Sequence, residues 1–324
     1  MTAELRERDM TALEEYRSEL TGYCYRMLGS PFDADDAVQE TLVRAWQAHD
    51  RFEGRSSLRS WLYRIATNVC VDSLRAGGRR ALPMDLSSPV PASTVPGDPL
   101  PEATWIGPVT DAAVALSGDP AERAVLHDSI RLAFVAALQH LPPRQRAVLL
   151  LRDVLAWSAA DVAELLDTTV AAVNSALQRA RATVAELDPG SGRSAYDLGD
   201  SELALLARYV QAFEAYDIEA LVRLLHEDAG LSMPPLPLWI QGAADIRDWH
   251  LGHGIACKGS RLVPLTANAS PAFAQYRPDR DGGHRAWAVQ VLDVADGRIR
   301  HVHSFLEDFD GEVFERLGLP LRLT

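Results

Sequence analysis

Several things are missing from this sequence of 324 residues, and each absence narrows what it can be. No apolar run approaches the roughly 18 residues needed to cross a bilayer, so no membrane-spanning helix is expected. The first twenty residues, MTAELRERDMTALEEYRSEL, are charged and helical in pattern, with no apolar core and no small-residue cleavage site. A secretion signal is therefore not expected, and a cytoplasmic location is. Cysteine is scarce: Cys24, Cys70 and Cys257 are scattered and odd in number. That suits a reducing compartment and argues against a disulfide framework or a cysteine-based zinc site. Residues 81 to 118 contain no Lys or Arg at all.

What is present is 47% hydrophobic residues, enough for a sizeable core, in a chain long enough for two or three domains. The net charge of -13 hides an asymmetry. Residues 1 to 50 sum to -6 and residues 51 to 80 to +5, from seven Arg against Glu53 and Asp72. Residues 81 to 118 give -4, residues 119 to 187 give -1 and residues 188 to 324 give -7. An acidic total does not exclude nucleic acid, because a local basic patch is enough to meet phosphates.

The chain reads as a series of modules. Residues 10 to 80 are helical. Within residues 33 to 49, Ala37, Val38, Thr41, Leu42, Ala45 and Trp46 recur at helical spacing, with Asp33 as the expected N-cap after Pro31. Leu58, Leu62, Ile65 and Val69 form the stripe of a second helix that Gly77-Gly78 ends. Residues 81 to 118 hold seven prolines and read as an acidic, extended linker, too long for an ordinary loop. TWIGP at 104 to 108 is apolar enough to dock, which singles out Trp105, Ile106 and Pro108. Residues 119 to 187 are helical again. Residues 158 to 185 predict two short helices about a break at Asp167-Thr168-Thr169, with Ser158 and Thr168 or Thr169 as N-caps, the pattern of a helix-turn-helix. DPGSGR at 188 to 193 marks a boundary. Residues 198 to 324 open with helical periodicity through Leu205, Tyr209, Phe213, Leu221, Leu224 and Leu225. They close with two alternating runs about Asp296-Gly297, a hairpin signal, and so predict an α+β domain.

The residues suggest chemistry. Arg64, Asn68 and Arg75 fall on one helix face away from the Leu58 stripe, with Arg59 and Trp61 just upstream. Arg, Asn and an aromatic together suit phosphate contacts and capture of an unstacked base, with Trp61 and Tyr63 as stacking surfaces. In the second helix of the helix-turn-helix, Val170, Val173, Leu177 and Ala180 face inward. Ala171, Ser175, Gln178 and Arg179 lie opposite, flanked by Asn174 and Arg181, and can approach base edges in a major groove.

Taken together, these segments resemble bacterial RNA polymerase sigma factors of the extracytoplasmic-function group. DADDAVQETLVRAW resembles the family's core-polymerase-binding helix, and FEGRSSLRSWLYRIATNVCVDSLR resembles its segment that melts and reads the promoter -10 element. LPPRQRAVLLLRDVLAWSAADVAELLDTTVAAVNSALQRARA resembles its -35-binding domain. The resemblance implies that Asp35, Asp36, Gln39, Glu40 and Trp46 face core polymerase and that Asn68 captures a flipped -10 base. It also implies that Arg75, Arg79 and Arg80 meet the DNA backbone, and that Thr169 and the solvent face after it meet the -35 duplex. The sequence departs from the family pattern in having Asn174 and Ala176 where Lys and Arg are frequent, and Asp167 where Gly is frequent. The tail resembles the cone-shaped SnoaL-like superfamily, a tail thought to regulate the sigma part in cis.

The resulting architecture is two all-α helical domains, residues 10 to 80 and 119 to 187, joined by a Pro-rich linker and followed by an α+β cone-shaped SnoaL-like domain over 198 to 324. The implied partners are core RNA polymerase, the -35 duplex and the melted -10 strand, with an intramolecular contact between linker and tail and no membrane. A stand-alone DNA-binding regulator with a ligand-sensing tail is the alternative, and an enzyme fused to DNA-binding helices a third reading. Isomerase-like chemistry needs a carboxylate base in an apolar pocket. Asp293, His301 and His303 are the candidates, and His250 with His253 could form a metal pair, but no acid–base pair stands out by spacing. No catalytic residue, metal or cofactor is assigned.

Overall fold

The computed structural model describes residues 13–48, 57–114, 120–187, 194–307 and 312–324. The N-terminal boundary at 10, Arg55 of the basic segment and the DPGSGR break lie outside the described residues. The chain divides into two compact units, Met1–Arg80 with Asp111–Pro189, and Ala81–Thr110 with Gly190–Thr324.

In the first unit, α1 (Arg17–Leu28) ends where Gly29 adopts a left-handed conformation, and α2 (Pro31–Ala48) begins two residues later. Ser30, not Asp33, caps α2: its hydroxyl accepts from the Asp33 amide at 3.2 Å. Pro31 at the first helical position places Asp33 one turn inside, where its carboxylate holds Arg80. α3 (Leu58–Ala76) starts at Ser57, whose hydroxyl accepts from Ser60, and stops at Gly77. Leu20, Tyr23, Met27, Val38, Leu42, Leu62 and Ala66 form the shared core.

The same unit contains α4 (Pro120–Asp128), α5 (Leu132–Gln139), α6 (Pro143–Leu149), α7 (Ala159–Leu165) and α8 (Val170–Leu187). Ser158 and Asp161 form a reciprocal capping box on α7, and Thr169 caps α8 by accepting from Ala172. Asp167 turns the chain between them at φ 49°. Val173, Leu177 and Ala180 point inward as expected, but Val170 is 44% exposed because the inward stripe starts only one turn into α8.

In the second unit, α9 (Asp200–Glu214), α10 (Ile218–Val222) and α11 (Ala243–Leu251) pack on one face of a curved sheet. Its strands are β1 (Leu225–Ser232), β2 (Trp239–Gln241), β3 (Arg261–Ala267), β4 (Ser270–Pro278), β5 (His284–Ala295), β6 (Arg298–Leu306) and β7 (Arg322–Leu323). They run in the order β2-β1-β6-β5-β4-β3, with β7 beside β5. β5 and β6 form the expected hairpin, with Asp296 and Gly297 both at positive φ. The sheet is mixed rather than wholly antiparallel, because β1 lies parallel to β6.

Residues 81 to 110 are a strap that belongs to this second unit. Its feet pair with each other: Ala81 donates to Thr104 O at 2.8 Å and Ile106 donates to Ala81 O at 3.1 Å. Its middle lies on the tail, where Val90 donates to Trp239 O, Leu100 donates to Pro235 O, and Trp239 Nε1 donates to Ser87 O. Beyond the feet, Val109 and Asn268 exchange two hydrogen bonds, and Thr110 bridges Ala267.

Candidate nucleic-acid interface

α3 carries Arg64, Asn68 and Arg75 on one face, with Asn68 and Arg75 exposed and Arg64 partly so. Arg64 donates to the Glu164 carbonyl at 3.0 Å, and Arg75 lies 3.4 Å from Asp72. Arg79 is exposed and reaches His140 Nδ1 at 2.9 Å. Trp61 is half-buried.

Other residues read as contacts on this segment are engaged inside the protein. Arg80 is only 4% exposed, with its guanidinium on Asp33. A phosphate could reach it only by displacing that carboxylate. Tyr63 is fully buried rather than a stacking surface, because its ring fills the core and its hydroxyl donates to Glu19. Burial, then the Glu19 carboxylate, pushes its phenol well above the ordinary value. Arg59 pairs with the same Glu19 and sits over the rings of Tyr63 and Trp157, 5.3 and 5.2 Å from their centroids. The segment entering α7 thus covers one end of α3.

α8 presents the opposite case. Ala171, Asn174, Ser175, Gln178, Arg179 and Arg181 are all exposed, as is Thr169 at its start. Arg179 bonds only the neighbouring turn, through Ser175 at 2.6 Å, and Arg181 pairs with Asp153 at 2.7 Å. An Asn, a Ser, a Gln and two Arg on one open helix face are the donors and acceptors that base edges and phosphates require. On α2, Asp36, Gln39 and Glu40 are exposed, Asp35 partly so, and Trp46 is 46% exposed. Val43 shares that face with equal exposure. Sequence reasoning missed it, although it stands three residues before Trp46 and seven after Asp36. An apolar pair framed by acids marks a protein contact surface rather than a DNA surface.

Two buried arginines also went unread. Arg26, on α1, donates to Gly22 O at 2.7 Å, Ser129 Oγ at 2.8 Å and Leu126 O at 3.0 Å. Arg146, on α6, donates to Met27 O, to Gln139 Oε1 at 2.7 Å and to the carbonyls of Gln139 and Leu141 at 3.2 Å. Burial lowers each to about 10, so both stay charged at neutral pH. Each ties helices about a hundred or more positions apart. PRQR in LPPRQR was the available signal, but spacing alone does not say which Arg turns inward.

In the tail, Trp105 is 5% exposed and Ile106 fully buried at the strap's second foot, with Pro108 also buried. Trp105 Nε1 lies 3.4 Å from Leu100 O. Asp293, His301 and His303 do come together: His303 lies 3.4 Å from Asp293, the two imidazoles stack at 4.0 Å, and Ser232 Oγ sits 3.1 Å from each histidine. Gly230 makes room, since a Cβ there would overlap the His301 ring. These side chains are not in the tail cavity. Val302, Ser304 and Leu306 line it, so the intervening histidines of β6 face the other side of the sheet. Among the described residues, the cavity lining holds His250 and His253 and no Asp or Glu. Among the described residues no group of three or more His, Cys, Asp or Glu could hold a metal. No helix among them is long and apolar enough to cross a membrane.

Comparison with known proteins agrees with this division. A Sigma-70 region 2 model matches residues 12–80, a Sigma-70 region 4 model residues 131–184, and a SnoaL-like domain model residues 206–302. The chain belongs to the ECF RNA polymerase sigma factors, with a SnoaL-like domain after the sigma regions. It is 46% identical to ECF RNA polymerase sigma factor SigG of Mycobacterium tuberculosis, over 98% of this chain and 86% of that one. It is 28% identical to SigJ of the same organism, over 90% and 89%. The crystal structure of the extracytoplasmic function sigma factor SigJ aligns with 96% of this chain and 99% of its own at a TM-score of 0.60 and 23% identity, which shows a shared fold.

Proposed function

We propose that this sigma factor binds core RNA polymerase through the exposed α2 face of Asp35, Asp36, Gln39, Glu40, Val43 and Trp46. Asn68 captures an unstacked -10 base, with Arg64, Arg75 and Arg79 on the flanking phosphates. The exposed face of α8 reads the -35 duplex. The observation that carries this reading is the exposed Asn68, set between two arginines on a helix whose other face is buried core. In the free chain Arg26, Arg59 and Arg146 hold the two sigma regions together, so polymerase must part them before both promoter elements are engaged. The tail regulates in cis by holding the strap that joins them. It acts by binding rather than catalysis: the described residues that line its cavity include no carboxylate to serve as a base. The chain works in the cytoplasm, where polymerase is.

The test is reconstituted transcription with core polymerase on the gene's own upstream region. Asn68→Ala should cut open-complex formation at least ~10-fold, the loss of about one stacked, hydrogen-bonded base, and leave polymerase binding unchanged. Equal loss of both would remove the base-capture role. Duplex binding without any association with polymerase would turn the reading into that of a stand-alone regulator.

A further inference from the structure

Two arginines flank the exposed face of α8, and the fold holds them differently. At about 100° per residue, Arg179 and Arg181 stand about 160° apart around the helix, with Ala171, Asn174, Ser175 and Gln178 between them. A helix lying in a major groove meets a phosphate backbone on each side, so each arginine faces one wall. Arg179 is held by a neutral group, donating through Nη1 to Ser175 Oγ at 2.6 Å. Arg181 is held by a carboxylate: its Nε donates to Asp153 Oδ2 at 2.8 Å and its Nη2 to Asp153 Oδ1 at 2.7 Å. A guanidinium carries five N–H donors, and this pair uses the side edge, Nε with Nη2. The end edge, Nη1 with Nη2, keeps two parallel N–H groups that match two oxygens of one phosphate. The Arg181 side chain is 61% exposed, so that edge is within reach of a partner.

The carboxylate is itself fixed. Asp153 lies on a single π turn, Leu150–Val154, at the end of α6. Leu155 donates to Leu150 O at 2.9 Å, Trp157 donates to Leu151 O at 2.9 Å, and Arg152 Nη1 donates to Trp157 O. A π turn holds one residue more than an α turn, and removing it would swing the following side chains by about 100° around the helix axis. The turn thus aims a residue 28 positions away in sequence at α8. We propose that Asp153 is a positioning residue for promoter recognition: it orders Arg181 so that the end edge of the guanidinium meets one backbone phosphate beside the -35 element. The inference rests on the reading of the α8 face as the -35 reader.

The sign of one substitution separates positioning from charge. An acid beside DNA repels phosphates, so its removal alone would tighten binding. If Asp153 orders Arg181, its removal weakens binding instead. The experiment measures the full chain in complex with core polymerase, by gel shift on the gene's own upstream duplex over a series of salt concentrations. Asp153→Ala should weaken binding about 3- to 10-fold, the cost of ordering a long side chain on binding. Arg181→Ala should weaken it about 10-fold, to the same extent on altered -35 sequences, and lower the salt slope by about one phosphate. In an Arg181→Ala background, Asp153→Ala should weaken nothing further. The pair is exposed and adds little to folding, so both single variants should keep the wild-type melting profile. Unchanged or tighter binding by Asp153→Ala, or an undiminished loss without Arg181, would overturn the positioning role. A loss by Arg181→Ala confined to one base pair would overturn the phosphate assignment. If neither Arg181→Ala nor Gln178→Ala altered promoter binding, the reading of the α8 face would fall and take this inference with it.

Discussion

The two units bury polar groups in opposite ways. The sigma unit buries charge: Arg26, Arg80 and Arg146 are each only a few per cent exposed, and each is ringed by carbonyls, amides or a carboxylate. The tail buries no Arg or Lys among the described residues; its buried polar groups include a Gln–Gln–Tyr chain, the His250 imidazole, and Glu202 and Glu307, whose carboxylates accept from the amides of Gly199 and Phe314. A guanidinium surrounded by acceptors fastens helices that are distant in sequence.

The comparison can be broken at graded points. Arg146→Met should have the largest effect. It leaves the carbonyls of Met27, Gln139 and Leu141 without their donor, and the sigma unit should lose about 3–5 kcal/mol in urea unfolding. A loss below about 1 kcal/mol would deny Arg146 its fastening role. Next comes acidification. The His250 pKa falls from 6.5 free to about 4 in the fold, so between those values the unfolded chain binds a proton that the folded tail refuses. Tail stability should therefore fall as pH drops across that window, by up to about 3 kcal/mol. His250→Phe should remove that share of the slope. His301, lowered by burial and then by His303, keeps its own. A pH profile identical in the variant would contradict a buried neutral His250. Smaller still is Arg80→Ala, expected to cost about 1–2 kcal/mol, because Asp33 keeps some access to water. Its counterpart Arg75→Ala should change stability by under about 0.5 kcal/mol, yet lower the salt dependence of promoter binding by about one phosphate. If Arg80→Ala proved the neutral one for folding, the buried assignment would fail.

Much of this was readable in the sequence. The helix over 58 to 76, the Ser158 cap, the break at Asp167 and the Asp296-Gly297 hairpin follow from periodicity and turn chemistry, which are local. Asp167 itself is instructive: where the family pattern has Gly, the chain adopts a left-handed turn that Asp tolerates. Arg59, Tyr63 and Arg80 have partners in the fold that a helical wheel does not foresee, for one reason. A helical wheel separates inside from outside only for one helix on one core, and α3 has neighbours on more than one side. Trp157 and Glu19, far away in the chain, decide what Arg59 does. The parallel β1–β6 pairing and the burial of His250 were equally out of reach, since both depend on which distant segments meet.

The paired feet of the strap bear on how far the sigma regions can travel. With Ala81 held against Thr104 and Ile106, most of the strap contributes no reach. Only residues 107 to 110 and the width of the pair then separate the sigma ends, a span of at most about 20 Å. Unpaired, the same thirty residues would average on the order of 30 Å and stretch to nearly 100 Å. Oxidising an Ala81→Cys, Trp105→Cys double variant should lock the short span and silence run-off transcription, with reductant restoring it; full activity when locked would refute the idea. The pairing of the feet then sets the length of the leash, and whatever opens it lengthens the stride of the initiation factor.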